Sequence, residues 1–452
     1  MDTRILREND IRGKYPTSID EVTCLKIGKA FGTYIRKNKC NECVVGHDNR
    51  LSGKSLTNAL IEGLKSTGVN IIYLNTVTTP MLNYACIYLN KVFGVEVTAS
   101  HNPKDENGIK MFQNFLHITG ENLKEIYNLI LTENFIEEKQ KGIVELFTIN
   151  ELYKNMLVDY TVLENKNLKV VIDPGNGTSS LIAKSVFDSL GIKTLYINDI
   201  SDGNFPNHHP DPNVAKNLSQ LQEMVLRNNA DVGLAFDGDC DRFGVVDNEG
   251  NIIETDKMIA LFAENIMKTS TNTKFLVDVK CSRLTSDIIK KYGGTPIIVK
   301  NGSAYIETEL NKKNIVFGGE YSGHIFFRDR FFGFDDGIYA GLRLLEILSK
   351  KEKSCSELFA SYPKYYNTEE IRVATKDEIK FEIIEKIKKY AIEKKYEFND
   401  IDGIKIEFPD SWALIRCSNT GPNLTMRFEA TNKEELSKIQ KEFTDLVNKL
   451  NM

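Results

Sequence analysis

Among the 452 residues no apolar run reaches the ~18–20 needed to span a bilayer. The opening MDTRILREND is charged where a secretory leader would carry an apolar core. Both absences point to the cytoplasm. Neither sign of charge dominates: 58 basic and 63 acidic residues leave a formal net charge of −5, so there is no bulk attraction for nucleic acid. An anionic ligand has to be held by local arginines and lysines. Eight cysteines over this length do not make a disulfide framework. The close pair Cys40 and Cys43 in CNEC has no second pair at zinc-like spacing, so it reads as a loop entering the strand VVGHD. IDPGNGTSS (172–180) lacks the third glycine of a dinucleotide fingerprint and the lysine of a P-loop, and reads as a tight strand-to-helix turn.

What is there is ordinary globular material, 41 % hydrophobic and 27 % charged, in a chain too long for one core. Short apolar runs such as CVVGHD, VNIIYL, KVVIDPG, VGLAFDGD, FLVDVK, PIIVK and NIVFGGE alternate with amphipathic stretches such as LTNALIEGLKSTG and DGIYAGLRLLEILSKK. That alternation predicts α/β units with parallel or mixed sheets. Gly68 and Gly191, each just before a strand, fit helix C-terminal caps. Texture changes predict four domains, 1–147, 148–251, 252–363 and 364–452. The last is α+β, with a helix in KDEIKFEIIEKIKKYAIEKK whose charges are a solvated face, followed by antiparallel strands.

Three strand-end loops carry the chemistry, as such loops do in α/β sheets. In AFDGDCDRFG, Asp237, Asp239 and Asp241 alternate after an apolar strand, and three converging carboxylates call for a hard divalent cation. An EF-hand is excluded, because its sixth position is Arg242 instead of Gly and its twelfth is Asn248 instead of Glu. The plainer alternative is an acidic turn capping the next helix. In GGEYSGH, Glu320 and Ser322 suit vicinal sugar hydroxyls and His324 suits a phosphate or a proton, against the alternative of a structural turn. RCSNTGPNLTMR offers Arg416, Ser418, Asn419, Thr420 and Arg427, with turn amides around Gly421, as a multi-donor pocket for a phosphate dianion.

Ser100 in TASHNP has no G-x-S-x-G elbow, which argues against a serine hydrolase. His101 is its chain neighbour, and because consecutive side chains usually diverge it is expected to be a poor direct base. A phosphorylated Ser100 accounts for the acidic loop and the phosphate pocket together, since it would lend the cation an oxygen ligand.

With those loops in hand the chain resembles the α-D-phosphohexomutase superfamily, most closely the bacterial phosphomannomutase/phosphoglucomutase group. The resemblance covers the whole length through REND-IRG, TASHNP…NG-K, DGDCDR, DVKCSR, GGEYSGH, FGFDDGIYA and R-SNT-P…RFEA. It implies three related α/β domains with mixed sheets and a C-terminal α+β domain around a central cleft. It makes Ser100 the phosphoserine and Asp237, Asp239 and Asp241, with Ser100, the Mg2+ ligands. Arg12, His101, Lys110 and Arg242 surround the transferring phosphoryl, with Lys110 as acid/base, helped by His324. Lys110 would then need a lowered pKa. Glu320, Ser322, Gly302 and Ser303 lie at the sugar, and Lys280, Arg416, Ser418, Asn419, Thr420 and Arg427 at the non-reacting phosphate.

The implied activity is reversible transfer of phosphate between C1 and C6 of mannose or glucose phosphates, through glucose (or mannose) 1,6-bisphosphate, by a monomer or dimer without membrane or nucleic-acid partners. A phosphoglucosamine mutase, a metal-dependent sugar phosphatase and a non-catalytic sugar-phosphate binder are the alternatives. Two departures bear on the sugar: Asn9 stands where the group often has Tyr, and Ser303 where it often has His. Cys240 inside the acidic loop is unusual and would make the loop sensitive to soft metals or oxidation.

Overall fold

The computed structural model describes residues 2–313, 315–376, 378–418 and 422–451. It divides into two compact units, Met1–Thr255 with Ser322–Ala360 and Asp256–Tyr321 with Ser361–Met452. The residues expected as a third domain are therefore shared between the units. No helix among the described residues is long and apolar enough to cross a membrane.

The first unit opens with β1 (Ile11–Lys14), β2 (Glu42–His47), β3 (Asn70–Thr76), β4 (Phe93–Val97), β5 (Glu106–Gln113), β6 (Leu116–His117) and β7 (Val144–Leu146). They form a mixed sheet of order β1-β5-β4-β2-β3-β7, with β6 added to β5. β2, β3 and β4 run parallel, while β5 is antiparallel to β1 and β4. Val44, Val45, Val95 and Val97 are fully buried, which is why the runs read as continuous apolar stretches instead of alternating ones. Asp20 starts the first long helix, Glu21–Lys37, by accepting from the Thr23 amide, and Arg36 and Lys37 sit at its negative end.

A second sheet follows: β8 (Lys169–Asp173), β9 (Lys193–Tyr196), β10 (Val232–Phe236), β11 (Phe243–Asp247) and β12 (Ile252–Ile253), in order β12-β11-β10-β8-β9. β10 is parallel to β8 and antiparallel to β11, so the acidic loop is a hairpin connection. The alternative of a turn capping a helix is thereby overturned, because β11 comes next. Gly68 and Gly191 end their helices at φ 77° and 72°, as C-terminal caps require.

The second unit begins with the parallel strands β13 (Lys274–Asp278), β14 (Thr295–Val299) and β15 (Phe317–Gly319). After Tyr321 the chain returns to the first unit, adding β16 (Ile325–Phe327) and the helix Gly337–Ser349, whose N-cap is Asp336. The second unit then resumes with β17 (Tyr366–Asn367), β18 (Ile371–Ala374), β19 (Glu397–Asn399), β20 (Ile404–Glu407), β21 (Ser411–Cys417) and β22 (Asn423–Ala430). All pairings in this last sheet are antiparallel. Helices Lys380–Lys394 and Lys433–Leu450 cover one core with it, through Ile383, Ile387, Ile439 and Phe443 against Ile406, Ile415 and Phe428. The expected α/β and C-terminal α+β architecture is what the chain forms.

Candidate active site

Ser100 lies between β4 and β5 with a left-handed backbone, φ 51°. That conformation is uncommon for a residue with a side chain and marks a position held by its surroundings. The side chain is buried and its Oγ donates to Asp237 Oδ2 at 2.7 Å. The same twist brings the His101 ring back, Nδ1 standing 3.2 Å from Ser100 Oγ. The expectation that neighbouring side chains diverge fails here because positive φ turns the serine towards its successor. Burial, then Arg242 and Arg12, keeps the imidazole of His101 well below its ordinary pKa, so it is neutral and able to accept. Arg12, on β1, donates to the Ala99 carbonyl (3.2 Å) and Asn102 Oδ1 (2.7 Å) and pairs with Asp10 at 2.6 Å. Asn9 Oδ1 is buried without a hydrogen-bond partner.

The three aspartates converge as expected, one oxygen from each lying within 4.8 Å of the others. Gly238 between the first two is dictated by packing, since a Cβ there would stand 2.4 Å from the Ser100 carbonyl oxygen. Lys110, on β5, places Nζ 2.6 Å from both Asp239 Oδ2 and Asp241 Oδ2. Oδ1 of Asp239 and Oδ1 of Asp241 are buried with no hydrogen-bond partner. Two buried carboxylate oxygens without hydrogen bonds, in a cluster whose third member holds the serine oxygen, fit a hard oxygen-seeking cation such as Mg2+. Burial, then Asp241 and Asp239, pushes the Asp237 carboxyl well above its ordinary range. Burial also opposes ionisation of Asp241, but the charges of Lys110 and Arg242 outweigh it and hold that carboxyl low.

Lys110 departs from expectation. Burial alone would lower its pKa, yet Asp239 and Asp241 raise it well above the ordinary lysine value, so it stands as a firm ammonium. Cys240 also departs. It is fully buried, burial pushes its thiol well up, and its backbone lies at φ 68°. Oxidation and soft-metal capture need an accessible thiolate, so the expected sensitivity has no basis here.

His324, beyond the unit boundary in sequence, belongs to this same unit. Its Nδ1 is 2.7 Å from Asp335 Oδ2, and its Nε2 is 2.8 Å from Arg242 Nε. Arg242 Nε must donate, so Nε2 accepts, and the ring proton sits on Nδ1 facing Asp335. Ser322, also in this unit, accepts through its carbonyl from Asn213.

The second unit holds the remaining candidates. Glu320 Oε1 accepts from Asn301 at 2.6 Å. Gly302 and Ser303 open the helix Ser303–Lys312, with Gly302 at φ 129°. Lys280 is buried, with Nζ 3.2 Å from Glu370. Arg416 Nε donates to Asp402 at 2.9 Å. Arg427 stacks 3.8 Å from the Tyr321 ring centroid and donates to the Lys280 carbonyl. Its Nε is a buried donor with no hydrogen-bond partner among the described residues, and its Nη2 lies 3.5 Å from Asp256 Oδ2. Ser418 follows β21, while Asn419, Thr420 and Gly421 lie outside the described residues.

Sequence reading missed Arg50. Its guanidinium donates to the carbonyls of Ser100 (2.7 Å), Asn102 (2.7 Å), Pro103 (2.7 Å) and Glu106 (3.0 Å) and pairs with Asp48 at 3.1 Å. A polar cluster just after a buried strand, VVGHDNR, was the available signal. Thr98 was missed too; its Oγ1 accepts from the Ser100 amide at 2.9 Å. IDPGNGTSS is the tight strand-to-helix turn expected, running from β8 into a short helix at Thr178–Leu181, and its Thr178 amide donates to the Gly238 carbonyl at 2.9 Å.

Models of the four phosphoglucomutase/phosphomannomutase domains match the chain in order: α/β/α domain I over residues 3–137, domain II over 149–250, domain III over 254–366, and the C-terminal domain over 370–446. A Pseudomonas syringae pv. tomato protein named phosphomannomutase/phosphoglucomutase is 40 % identical over 436 residues, 96 % of this chain and 93 % of the relative. A Neisseria meningitidis phosphoglucomutase is 36 % identical over 98 % of this chain and 96 % of its own. A crystal structure of a phosphoglucomutase/phosphomannomutase family protein from Burkholderia thailandensis superposes with a TM-score of 0.92 at 34 % identity, covering 100 % of this chain and 98 % of the other.

Proposed function

The chain belongs to the phosphoglucomutase/phosphomannomutase family and is a hexose phosphate mutase, and we propose that it moves phosphate reversibly between C1 and C6 of mannose and glucose phosphates through a phosphorylated Ser100. One observation carries this reading. A buried serine oxygen donates to the first of three converging carboxylates, with Arg12, Arg242, Lys110 and two histidines gathered in the same unit.

Asp237, Asp239, Asp241 and the phosphorylated Ser100 would hold Mg2+, which when bound supplies neutralising charge to the transferring phosphoryl group. The chain's own residues do the rest. Arg12 and Arg242 grip the phosphoryl oxygens, and their fixed hydrogen bonds mean they need little reorganisation as charge develops. Lys110 holds the proton that passes to and from the sugar oxygen. Its raised pKa comes from Asp239 and Asp241, and would fall towards the range a proton shuttle needs were those carboxylates engaged with Mg2+. Asp335 fixes the His324 ring with its proton on Nδ1, which steadies Arg242.

Glu320, Gly302, Ser303, Ser322 and His324 bind the sugar. Lys280, Arg416, Ser418 and Arg427, with Asn419 and Thr420, hold the phosphate that does not react. The intermediate is glucose or mannose 1,6-bisphosphate, which also activates the enzyme, and the protein works in the cytoplasm. The test is 31P NMR of the protein with Mg2+, a trace of glucose 1,6-bisphosphate, and glucose 1-phosphate or mannose 1-phosphate. Growth of the 6-phosphate without inorganic phosphate is expected, and the two rates rank the sugars. Growth of inorganic phosphate instead would make this a phosphatase.

A further inference from the structure

Glu96 has been given no role so far, and the hydrogens around it are too few. It lies on β4, fully buried, opposite Lys110 in the β4–β5 register. Its Oε2 is 2.5 Å from Thr79 Oγ1, and Thr79 Oγ1 is 2.8 Å from Asp239 Oδ2. The Thr79 amide also donates to the Asp239 carbonyl at 3.1 Å, so the two residues are fixed against each other through the backbone. A threonine hydroxyl owns one hydrogen. Two ionised carboxylates at those distances would leave one oxygen–oxygen contact with no hydrogen in it. Lys110 Nζ, 3.5 Å from Thr79 Oγ1, donates to the hydroxyl and places nothing between it and the second carboxylate. One of the two carboxyls therefore carries a proton.

The neighbours decide which. Asp239 Oδ2 receives the Lys110 ammonium at 2.6 Å, which is a setting for a carboxylate, while the Thr98 hydroxyl hydrogen goes to Asp48 Oδ2 at 2.7 Å. Among the described residues Glu96 has one hydrogen-bond partner, Thr79, and its Oε1 is buried with none. A carbonyl oxygen without a donor costs far less there than a charged oxygen without one. Burial, followed by the charge of Asp239, also pushes the Glu96 carboxyl well above its ordinary range.

We propose that Glu96 is a neutral acid that donates to Thr79, so that Thr79 donates to Asp239 Oδ2 and Asp239 is held with Oδ1 turned out for the cation. Glu96 is thus a positioning residue, acting on the metal site through one hydroxyl. The role rests on reading the three aspartates as the cation site. It follows that Glu96→Gln keeps both the donor to Thr79 and the net charge, whereas the same change at an ionised glutamate would remove a negative charge from beside the cation site and weaken cation binding.

The test measures Mn2+ affinity by calorimetry on the full chain, without substrate. Glu96→Gln should bind within about twofold of wild type. Glu96→Leu, which fills the space without a donor, and Thr79→Val should each bind on the order of tenfold more weakly, the usual range for residues that orient a ligand. The Glu96→Leu/Thr79→Val pair should lose no more than either alone. Infrared spectra at neutral pH should contain a protonated-carboxyl stretch that Glu96→Gln removes. Glu96→Gln binding as weakly as Glu96→Leu, or an unchanged carboxyl band, overturns the proposal. If the Mn2+ pattern holds while the phosphate-transfer assay fails, the enzymatic reading falls and this one stands.

Discussion

Arg50 is the side chain on which the serine loop hangs. Four carbonyls in one short segment share its planar fork, and Asp48 balances its charge. Arg50→Ala would leave that aspartate buried and unpaired, so a loss of about 3–5 kcal/mol is expected in urea denaturation, together with loss of turnover. Arg50→Lys keeps the charge but not the fork, and should restore only part of both. Cys240 gives a second expectation. Its left-handed backbone costs about 1–2 kcal/mol. Cys240→Gly relieves that strain but loses side-chain burial, so its melting point should stay near wild type. Cys240→Val adds branching at positive φ and should melt clearly lower. At this scale the sequence told part of the story. The aspartates were legible because their chemistry is packed into five residues. Arg50, Thr79 and Glu96 were not, because each acts on a partner brought near only by the sheets.

The helix Gly337–Ser349 shows how an element's end bears on the site. Its N-cap, Asp336, accepts from the Tyr339 amide at 2.9 Å and from Tyr153 at 2.7 Å. Burial raises its pKa from 3.8 to about 7. A carboxyl raised in the folded state contributes stability that is fully present below about pH 4 and lost as pH rises through about 7. The first unit should therefore lose stability across that window, read as falling urea midpoints. Asp336→Asn keeps an acceptor for Tyr339 and a donor for Tyr153, and should flatten the slope. Elements themselves were read well from sequence, since buried strands and Gly-capped helices follow local pattern. The hairpin around the acidic loop was not, because antiparallel pairing of β10 with β11 has no local signature.

Over the whole chain, the four-part order was visible in the alternating texture and in motif order, whereas the interrupted first unit was not. Residues 322–360 join residues 1–255 by contacts distant in sequence, and they bring His324 and Asp335 to the serine site. A chain ended at Thr255 is therefore expected to bind Mn2+ weakly and to expose apolar surface, measured by calorimetry and a fluorescent dye. The same interruption sets a clock on synthesis. The ribosome delivers Ser100 and all three aspartates early, then makes about a hundred further residues before the helix Gly337–Ser349 is complete. At ~5–20 residues per second that is a wait of roughly five to twenty seconds. Through most of that interval the serine site exists in the cell only in part, His324 still unmade.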